Sequence, residues 1–279
     1  MGILNGIGGV APALRRFLED RGLFRDSSGD YVSAKTGHID TGRSRFEVFD
    51  DFLDAAIDTT NNWIVFAGSD GDATAAATVA GVPEGQVLMG SGGAGSTNDG
   101  SVLSLILLSQ GSLVSLGTTV FETRVSFDQL TGTSWNFGLS DVLAEATERS
   151  MFTVNSGTVA DGGLTVTNAV SFAFSSDATA TTSWQTCNEN AGTINATENA
   201  LSTGPTADTY AVLRIEVDSA GNAKFFIDGE WVYTKLLAVA TTALLIPFIG
   251  GNSADDADVA TDVSIDYVYF SGARPSSNA

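Results

Sequence analysis

Residues 210–233, YAVLRIEVDSAGNAKFFIDGEWVY, carry the clearest structural pattern in this chain. Apolar side chains at positions 213, 215 and 217 alternate with charged ones. This period of two predicts a β-strand with one buried face. Residues 219–222 form a cluster of turn-forming residues, and Asp228 and Gly229 tolerate the positive φ of a tight hairpin turn. The stretch therefore predicts three antiparallel strands joined by two short turns.

Similar strand-like runs recur along the chain, for example at residues 45–52, 62–66 and 118–128. In the last run, residues 263–270, simple alternation predicts Val263, Ile265, Tyr267 and Tyr269 on one face. Charged residues make up only 16% of the chain, and the apolar content of 43% is enough for a large core. Many short strands separated by turns predict an all-β fold, an antiparallel β-sandwich occupying residues 46–279.

The first 45 residues differ from the rest in charge. They contain seven basic and five acidic side chains, whereas the remaining residues contain six basic and 28 acidic ones. Residues 12–21 predict a short helix that begins at Pro12 and has one apolar stripe. Residues 25–45 are polar and predict an extended connector. Because two helical turns are marginal alone, we expect residues 1–45 to be an arm that anchors to a partner.

The candidate partner-binding residues of this arm are its apolar and basic side chains. They are Leu14, Arg15, Arg16, Phe17, Leu18, Arg21, Leu23 and Phe24.

Net charge and hydropathy exclude two classes of partner. The formal charge of −20 makes a nucleic-acid partner unfavourable. No apolar run reaches the roughly 18 residues that span a bilayer, so no membrane partner is expected. The apolar start of the chain has no basic region before it and does not resemble a secretory signal. We therefore expect a soluble protein that is not processed.

The residue types that support catalysis are scarce. His38 is the single histidine and Cys187 the single cysteine, so neither a histidine-dependent nucleophile nor a zinc site is indicated. The Glu-x-Asp-x-x-Glu strand motif of glucanases is absent. These observations predict a protein that is not an enzyme and that has no cofactor apart from a candidate Ca²⁺ ion.

The candidate Ca²⁺ ligands are four aspartates in one loop: Asp255, Asp256, Asp258 and Asp262. Carboxylates on a loop suit Ca²⁺, although their spacing is not that of an EF-hand and a solvated acidic loop is the alternative. Among the four tryptophans, Trp184 and Trp231 are the candidates for ligand binding, since aromatic rings beside polar groups can contact sugars.

Two stretches resemble known proteins. Residues 213–232, which end in Phe-Phe-Ile-Asp-Gly-Glu-Trp-Val, look like the late hairpin of concanavalin A-like or laminin-G-like jelly rolls. The run RFEVFDDF at residues 45–52, together with a low-charge composition rich in Gly, Ala and Thr, resembles virion proteins of tailed bacteriophages built on that sandwich. The resemblance covers residues 45–271.

This resemblance implies a structural or receptor-binding role on a capsid or tail surface, for a protein made in the cytoplasm of the host. The leading hypothesis is a capsid decoration or cement protein whose arm binds the major capsid protein or other virion proteins, as a homo-oligomer such as a trimer. The alternative is a receptor- or carbohydrate-binding module of a tail or head fibre that contacts a cell-surface glycan.

Overall fold

The computed structural model describes residues 23–25, 31–33, 45–54, 56–60, 62–67, 76–79, 85–91, 100–105, 111–142, 150–253 and 261–273. These ranges form twenty β-strands and a 3₁₀ turn at Val114–Leu116, and they include no α-helix. Within them, no helix has the length and apolarity needed to cross a bilayer.

The strands are β1 (Leu23–Arg25), β2 (Tyr31–Ser33), β3 (Arg45–Asp50), β4 (Trp63–Ala67), β5 (Ala77–Thr78), β6 (Val87–Gly90), β7 (Gly100–Leu105), β8 (Ser112–Leu113), β9 (Thr119–Phe127), β10 (Thr133–Ser140), β11 (Phe152–Asn155), β12 (Thr158–Asp161), β13 (Ala169–Ser175), β14 (Gln185–Asn190), β15 (Thr193–Ile194), β16 (Ala211–Val217), β17 (Ala223–Ile227), β18 (Glu230–Lys235), β19 (Leu244–Ser253) and β20 (Asp262–Ala273).

Two eight-stranded antiparallel sheets make up the body. The first sheet has the order β15-β14-β13-β10-β19-β7-β4, and β8 also pairs with β19. The second sheet has the order β18-β17-β16-β9-β20-β6-β5, and β3 also pairs with β20. The antiparallel β-sandwich predicted from the sequence is therefore confirmed.

The stretch at residues 210–233 forms β16, β17 and β18 of the second sheet, as its alternation predicts. The turn between β17 and β18 has φ values of +52° at Asp228 and +82° at Gly229, which is the backbone that the Asp-Gly pair predicts. The inward side chains Leu213, Ile215 and Val217 are fully buried in the core between the sheets.

The hairpin of β11 and β12 packs on the outer face of the first sheet. A second apolar cluster lies beneath this hairpin and includes Phe152, Cys187 and Phe248. The side-chain amide of Asn136 on β10 donates hydrogen bonds to the carbonyl of Phe152 and to the hydroxyl of Ser150, both at 2.9 Å. The outer face of the second sheet, in contrast, presents side chains to solvent.

Near the start of the chain, β1 and β2 pair as a short antiparallel hairpin. Part of the predicted extended connector is therefore β-structure. The predicted helix at residues 12–21 lies outside the described residues, and the division of the chain after residue 45 stays a prediction.

Candidate functional site

A row of six side chains crosses the outer face of the second sheet. Residues directly opposite each other in an antiparallel sheet project from the same face. The register places the following pairs opposite each other: Phe49 and Tyr269, Tyr269 and Glu122, Glu122 and Arg214, Arg214 and Phe226, Phe226 and Trp231. We call these six residues the cross-strand row, and they lie on β3, β20, β9, β16, β17 and β18.

A β-bulge in β20 brings its tyrosines onto this face. The register of β20 against β9 shifts between Ile265 and Tyr267. Before the bulge Ile265 is in the core, and after it Val268 and Phe270 are. The alternation that predicted Ile265, Tyr267 and Tyr269 on one face is therefore wrong beyond Ile265, because a bulge inserts one extra residue and moves the later side chains to the other face.

Arg214 lies in the middle of the row and forms ion pairs there. Its Nη1 donates to Glu122 Oε2 at 3.0 Å, while Nε and Nη2 donate to Glu216 Oε1 at 2.8 and 2.7 Å. The Tyr267 hydroxyl donates to the other oxygen of Glu122 at 2.8 Å. One guanidinium thus orients two carboxylates, and one of those carboxylates also holds a phenol.

A second arginine lies beside the row, on the same strand as Glu122. Arg124 Nη1 pairs with Asp266 Oδ2 at 2.7 Å. Its guanidinium carbon also lies 4.2 Å from the centre of the Tyr210 ring, a cation–π geometry. The Tyr210 hydroxyl accepts a hydrogen bond from Gln86 Nε2 at 3.1 Å, so this neighbouring ring is also held in place.

The two ends of the row are exposed aromatic rings. Phe49 is 59% exposed and Trp231 is 64% exposed. Trp231 Nε1 donates to the Tyr233 carbonyl and to the Thr234 hydroxyl at 3.0 and 3.1 Å. The Phe49 ring lies 5.7 Å from the ring of Tyr267. Hydrogen bonds therefore orient the Trp231 ring and a ring contact lies beside Phe49, while both side chains remain largely exposed.

The pKa values of Arg214 in the row and of Tyr267 beside it are both shifted toward the protonated form. Partial burial alone would lower the pKa of Arg214, but its hydrogen bonds with Glu216 and Glu122 raise it. Burial and the hydrogen bond to Glu122 raise the pKa of Tyr267, and the charge of Asp266 adds to this. At neutral pH the row therefore has a charged guanidinium, and the phenol of Tyr267 beside the row still carries its proton.

The two tryptophans that the sequence predicts as ligand-binding residues differ in exposure. Trp231 lies in the row, whereas Trp184 is 1% exposed and packs in the core between the sheets. The predicted ligand-binding role of Trp184 is therefore wrong, because its ring reaches no surface. Cys187 is likewise buried, and burial together with the charge of Glu198 raises the pKa of its thiol.

The other sequence candidates fall largely outside the described residues. Of the four loop aspartates only Asp262 is described, and burial and the charge of Asp128 raise its pKa. Asp255, Asp256 and Asp258 lie outside, as do the arm residues up to position 22. Leu23 and Phe24 are part of β1. In the described part of the chain, no group of three or more His, Cys, Asp or Glu could hold a metal ion.

No local pattern in the sequence predicts the row itself. Alternation in each strand places a side chain on the outer face, but it does not say which strand is its neighbour. The only usable signal was the outward polar set of β16, Arg214 and Glu216, within the opening stretch. Glu122 and Tyr269 are far from it in sequence, and strand order alone brings them together.

Comparison with known proteins identifies the fold. No protein-family model and no curated protein sequence matches this chain. Among solved structures, the β-glucanase of Bacillus licheniformis is 12% identical, with a TM-score of 0.53 over 80% of this chain and 97% of the glucanase. A family 16 glycoside hydrolase of Bacteroides ovatus is 10% identical, with a TM-score of 0.54 over 80% of this chain and 99% of the hydrolase.

An alginate lyase of polysaccharide lyase family 7 is also similar, with 13% identity and a TM-score of 0.50 over 76% of this chain and 96% of the lyase. The prediction that the chain is not an enzyme is contradicted by these similarities, because the fold is one that carbohydrate-active enzymes share. The scarcity of catalytic residue types is therefore no ground for excluding catalysis. At these identities the similarity shows the fold alone, and the chain has a concanavalin A-like jelly-roll fold.

Proposed function

We propose that this chain binds carbohydrate through the cross-strand row. The observation that carries the proposal is the pair of exposed rings, Phe49 and Trp231, at opposite ends of a row whose middle is charged. The apolar faces of sugar rings can pack on aromatic rings, while sugar hydroxyls need hydrogen-bonding partners between them. Glu122 and Arg214 are such partners. The jelly-roll fold, shared with a β-glucanase, supports the same class of ligand.

Replacing Trp231 or Phe49 with alanine should weaken the binding of a polysaccharide by about tenfold or more, since exposed aromatic anchors carry much of the energy of an interface. Affinity electrophoresis through gels that contain single soluble polysaccharides measures this directly. Neither change should lower the melting temperature, because both rings are exposed.

The matched control is Leu116→Ala. Leu116 is also an exposed apolar side chain, but it lies in the 3₁₀ turn and not in the row. This variant should migrate like the wild type in every gel. If the row variants keep the affinity of the wild type, or if no polysaccharide in a broad panel slows the wild type, the proposed function is wrong.

A second candidate is cleavage of the bound glycan. The observation that favours it is the contact of two carboxylates, Glu122 and Glu216, with the single guanidinium of Arg214, because glycosidases use pairs of carboxylates. The same panel, incubated with the protein and assayed for new reducing ends, decides between the candidates. Binding without any release of reducing ends would leave carbohydrate binding as the function.

We also propose that the protein is a virion protein of a tailed bacteriophage, most simply a capsid decoration or cement protein. The resemblance of residues 45–271 and the basic first 45 residues support this role. The arm would bind the major capsid protein or other virion proteins, in a homo-oligomer such as a trimer. The cross-strand row would then be available to a cell-surface glycan. Calcium binding by the acidic loop is a further proposal on the same sequence basis.

Deletion of residues 1–44 should abolish binding to capsids, because it removes the apolar and basic side chains proposed for the contact. Co-sedimentation with particles that lack the protein measures the binding. The deletion variant should still bind polysaccharide, which separates loss of the arm from loss of the fold. Unchanged co-sedimentation would exclude the arm as the anchor.

A further inference from the structure

We infer that the cross-strand row takes an uncharged, extended glycan that lies across the strands. This inference rests on the proposed carbohydrate-binding function and names its ligand class. It follows from two features of the row, namely the state of its cationic groups and the distance between its exposed rings.

The two arginines of this face are already paired with carboxylates of the chain. All three guanidinium nitrogens of Arg214 donate to Glu122 or Glu216. Arg124 is paired with Asp266. An anionic glycan, such as one with uronic acids or sulfates, would have to displace these internal carboxylates. Charge-assisted pairs of this kind are the stronger hydrogen bonds, so an anionic ligand gains little from replacing them.

The negative charge of the whole chain also disfavours an anionic ligand. The formal net charge is −20, and a field of that sign lowers the local concentration of anions. Lys224 is exposed near the row, but it lies opposite Glu216 in the register of β16 and β17. Sugar hydroxyls, in contrast, can donate to the carboxylate oxygens of Glu122 and Glu216 without any charge having to be displaced.

The spacing of the exposed rings indicates an extended chain. Phe49 and Trp231 lie on strands separated by five inter-strand steps, β3 to β20, β9, β16, β17 and β18. At the usual separation of neighbouring strands, this corresponds to about 24 Å. The row runs perpendicular to the strands, and its charged pair lies between the two rings. A ligand that touches both rings must therefore span several sugar units across the sheet.

The test uses matched pairs of polysaccharides. Each neutral member of the panel, including a soluble β-glucan and dextran, is compared with its carboxymethylated or sulfated derivative of the same chain length. We expect the neutral member of a binding pair to bind at least about tenfold more tightly at low ionic strength, and added salt to reduce the difference as it screens the repulsion.

Two double variants are assayed with the same pairs of polysaccharides and compared with the wild type. In Glu122→Gln/Glu216→Gln the guanidinium of Arg214 loses both carboxylates, so the preference for the neutral member should fall severalfold. The control is Asp161→Asn with Asp54→Asn, which removes the same charge from exposed aspartates outside the row, and it should keep most of the preference.

The outcomes separate the two proposals. Equal or tighter binding of the anionic members by the wild type overturns the ligand class but leaves carbohydrate binding in place. If the preference for the neutral polysaccharide falls equally in the Asp161→Asn/Asp54→Asn variant, the net charge of the chain alone sets that preference. This result overturns the role assigned to the ion pairs of Arg214. Failure of every polysaccharide to bind overturns the carbohydrate-binding function itself.

Discussion

Replacing Trp184 with alanine should lower the free energy of unfolding by about 3–5 kcal/mol, the usual range for a buried tryptophan. The ring is 1% exposed and contacts Phe127, Phe137, Phe172 and Phe174, with ring centroids 5.8 to 6.2 Å away. These rings come from both sheets, so they cannot all move into the space that alanine would leave. Denaturant unfolding followed by circular dichroism measures the loss.

Trp231→Ala is the matched control for this change. It removes the same side chain from a position that is 64% exposed, and surface changes of this kind usually alter stability by no more than about 0.5 kcal/mol. The pair of variants thus separates stability from binding, since Trp184 should affect the first and Trp231 the second. Similar losses of stability in the two variants would contradict the burial of Trp184.

Gly221→Ala should destabilise the fold by about 2–5 kcal/mol, because a left-handed backbone and a steric overlap add together. Gly221 has a φ of +79°. An ideal Cβ at this position would overlap the carbonyl oxygen of Val239, and the Val239 amide donates to the Gly221 carbonyl at 3.2 Å. Because Val239 is itself buried in the core, the backbone there has little room to move. Thermal and denaturant unfolding measure the change.

Gly229→Ala isolates the backbone part of this cost. Gly229 lies in the other turn of the same three strands and has a φ of +82°, yet no atom lies within 4 Å of its ideal Cβ. We expect a loss of about 1–2 kcal/mol from the left-handed backbone alone. If the two variants lose equal stability, the overlap with Val239 has no energetic effect and the prediction for Gly221 is wrong.

Much of the fold could be predicted from local patterns. Alternation and turn residues in the stretch 210–233 predicted β16, β17 and β18, and the Asp-Gly pair predicted the turn with two positive φ values. Such features depend on residues within a few positions of each other. For that reason they can be recognised without knowing what the strands pack against.

Polar strands were the hardest elements to predict. Residues 185–190, QTCNEN, lack the apolar pattern of a strand, yet they form β14 and are almost entirely buried. The side-chain amide of Asn188 donates to the carbonyl of Ala238 at 3.0 Å, a contact between residues 50 positions apart. A buried polar strand is stable only when distant groups satisfy its side chains, and composition does not show those groups.

The candidate site shows the same dependence on distant groups. Phe49, Glu122, Arg214 and Trp231 each lie in a strand with a recognisable outward face, but no local signal joins them. The bulge in β20 puts Tyr267 and Tyr269 on that face. The alternation of residues 263–270 does not reveal this bulge and predicted both tyrosines on the same face as Ile265.

The sequence by itself determined that this chain is an antiparallel β-sandwich, because strand periodicity and turn chemistry are local properties. Only the tertiary structure decided that Trp231 is exposed while Trp184 is core, and that Arg214, Glu122 and Tyr267 meet on one open face. The physical reason is that burial and side-chain contacts are set by strand order: the hydroxyl of Tyr267 reaches a carboxylate 145 residues away.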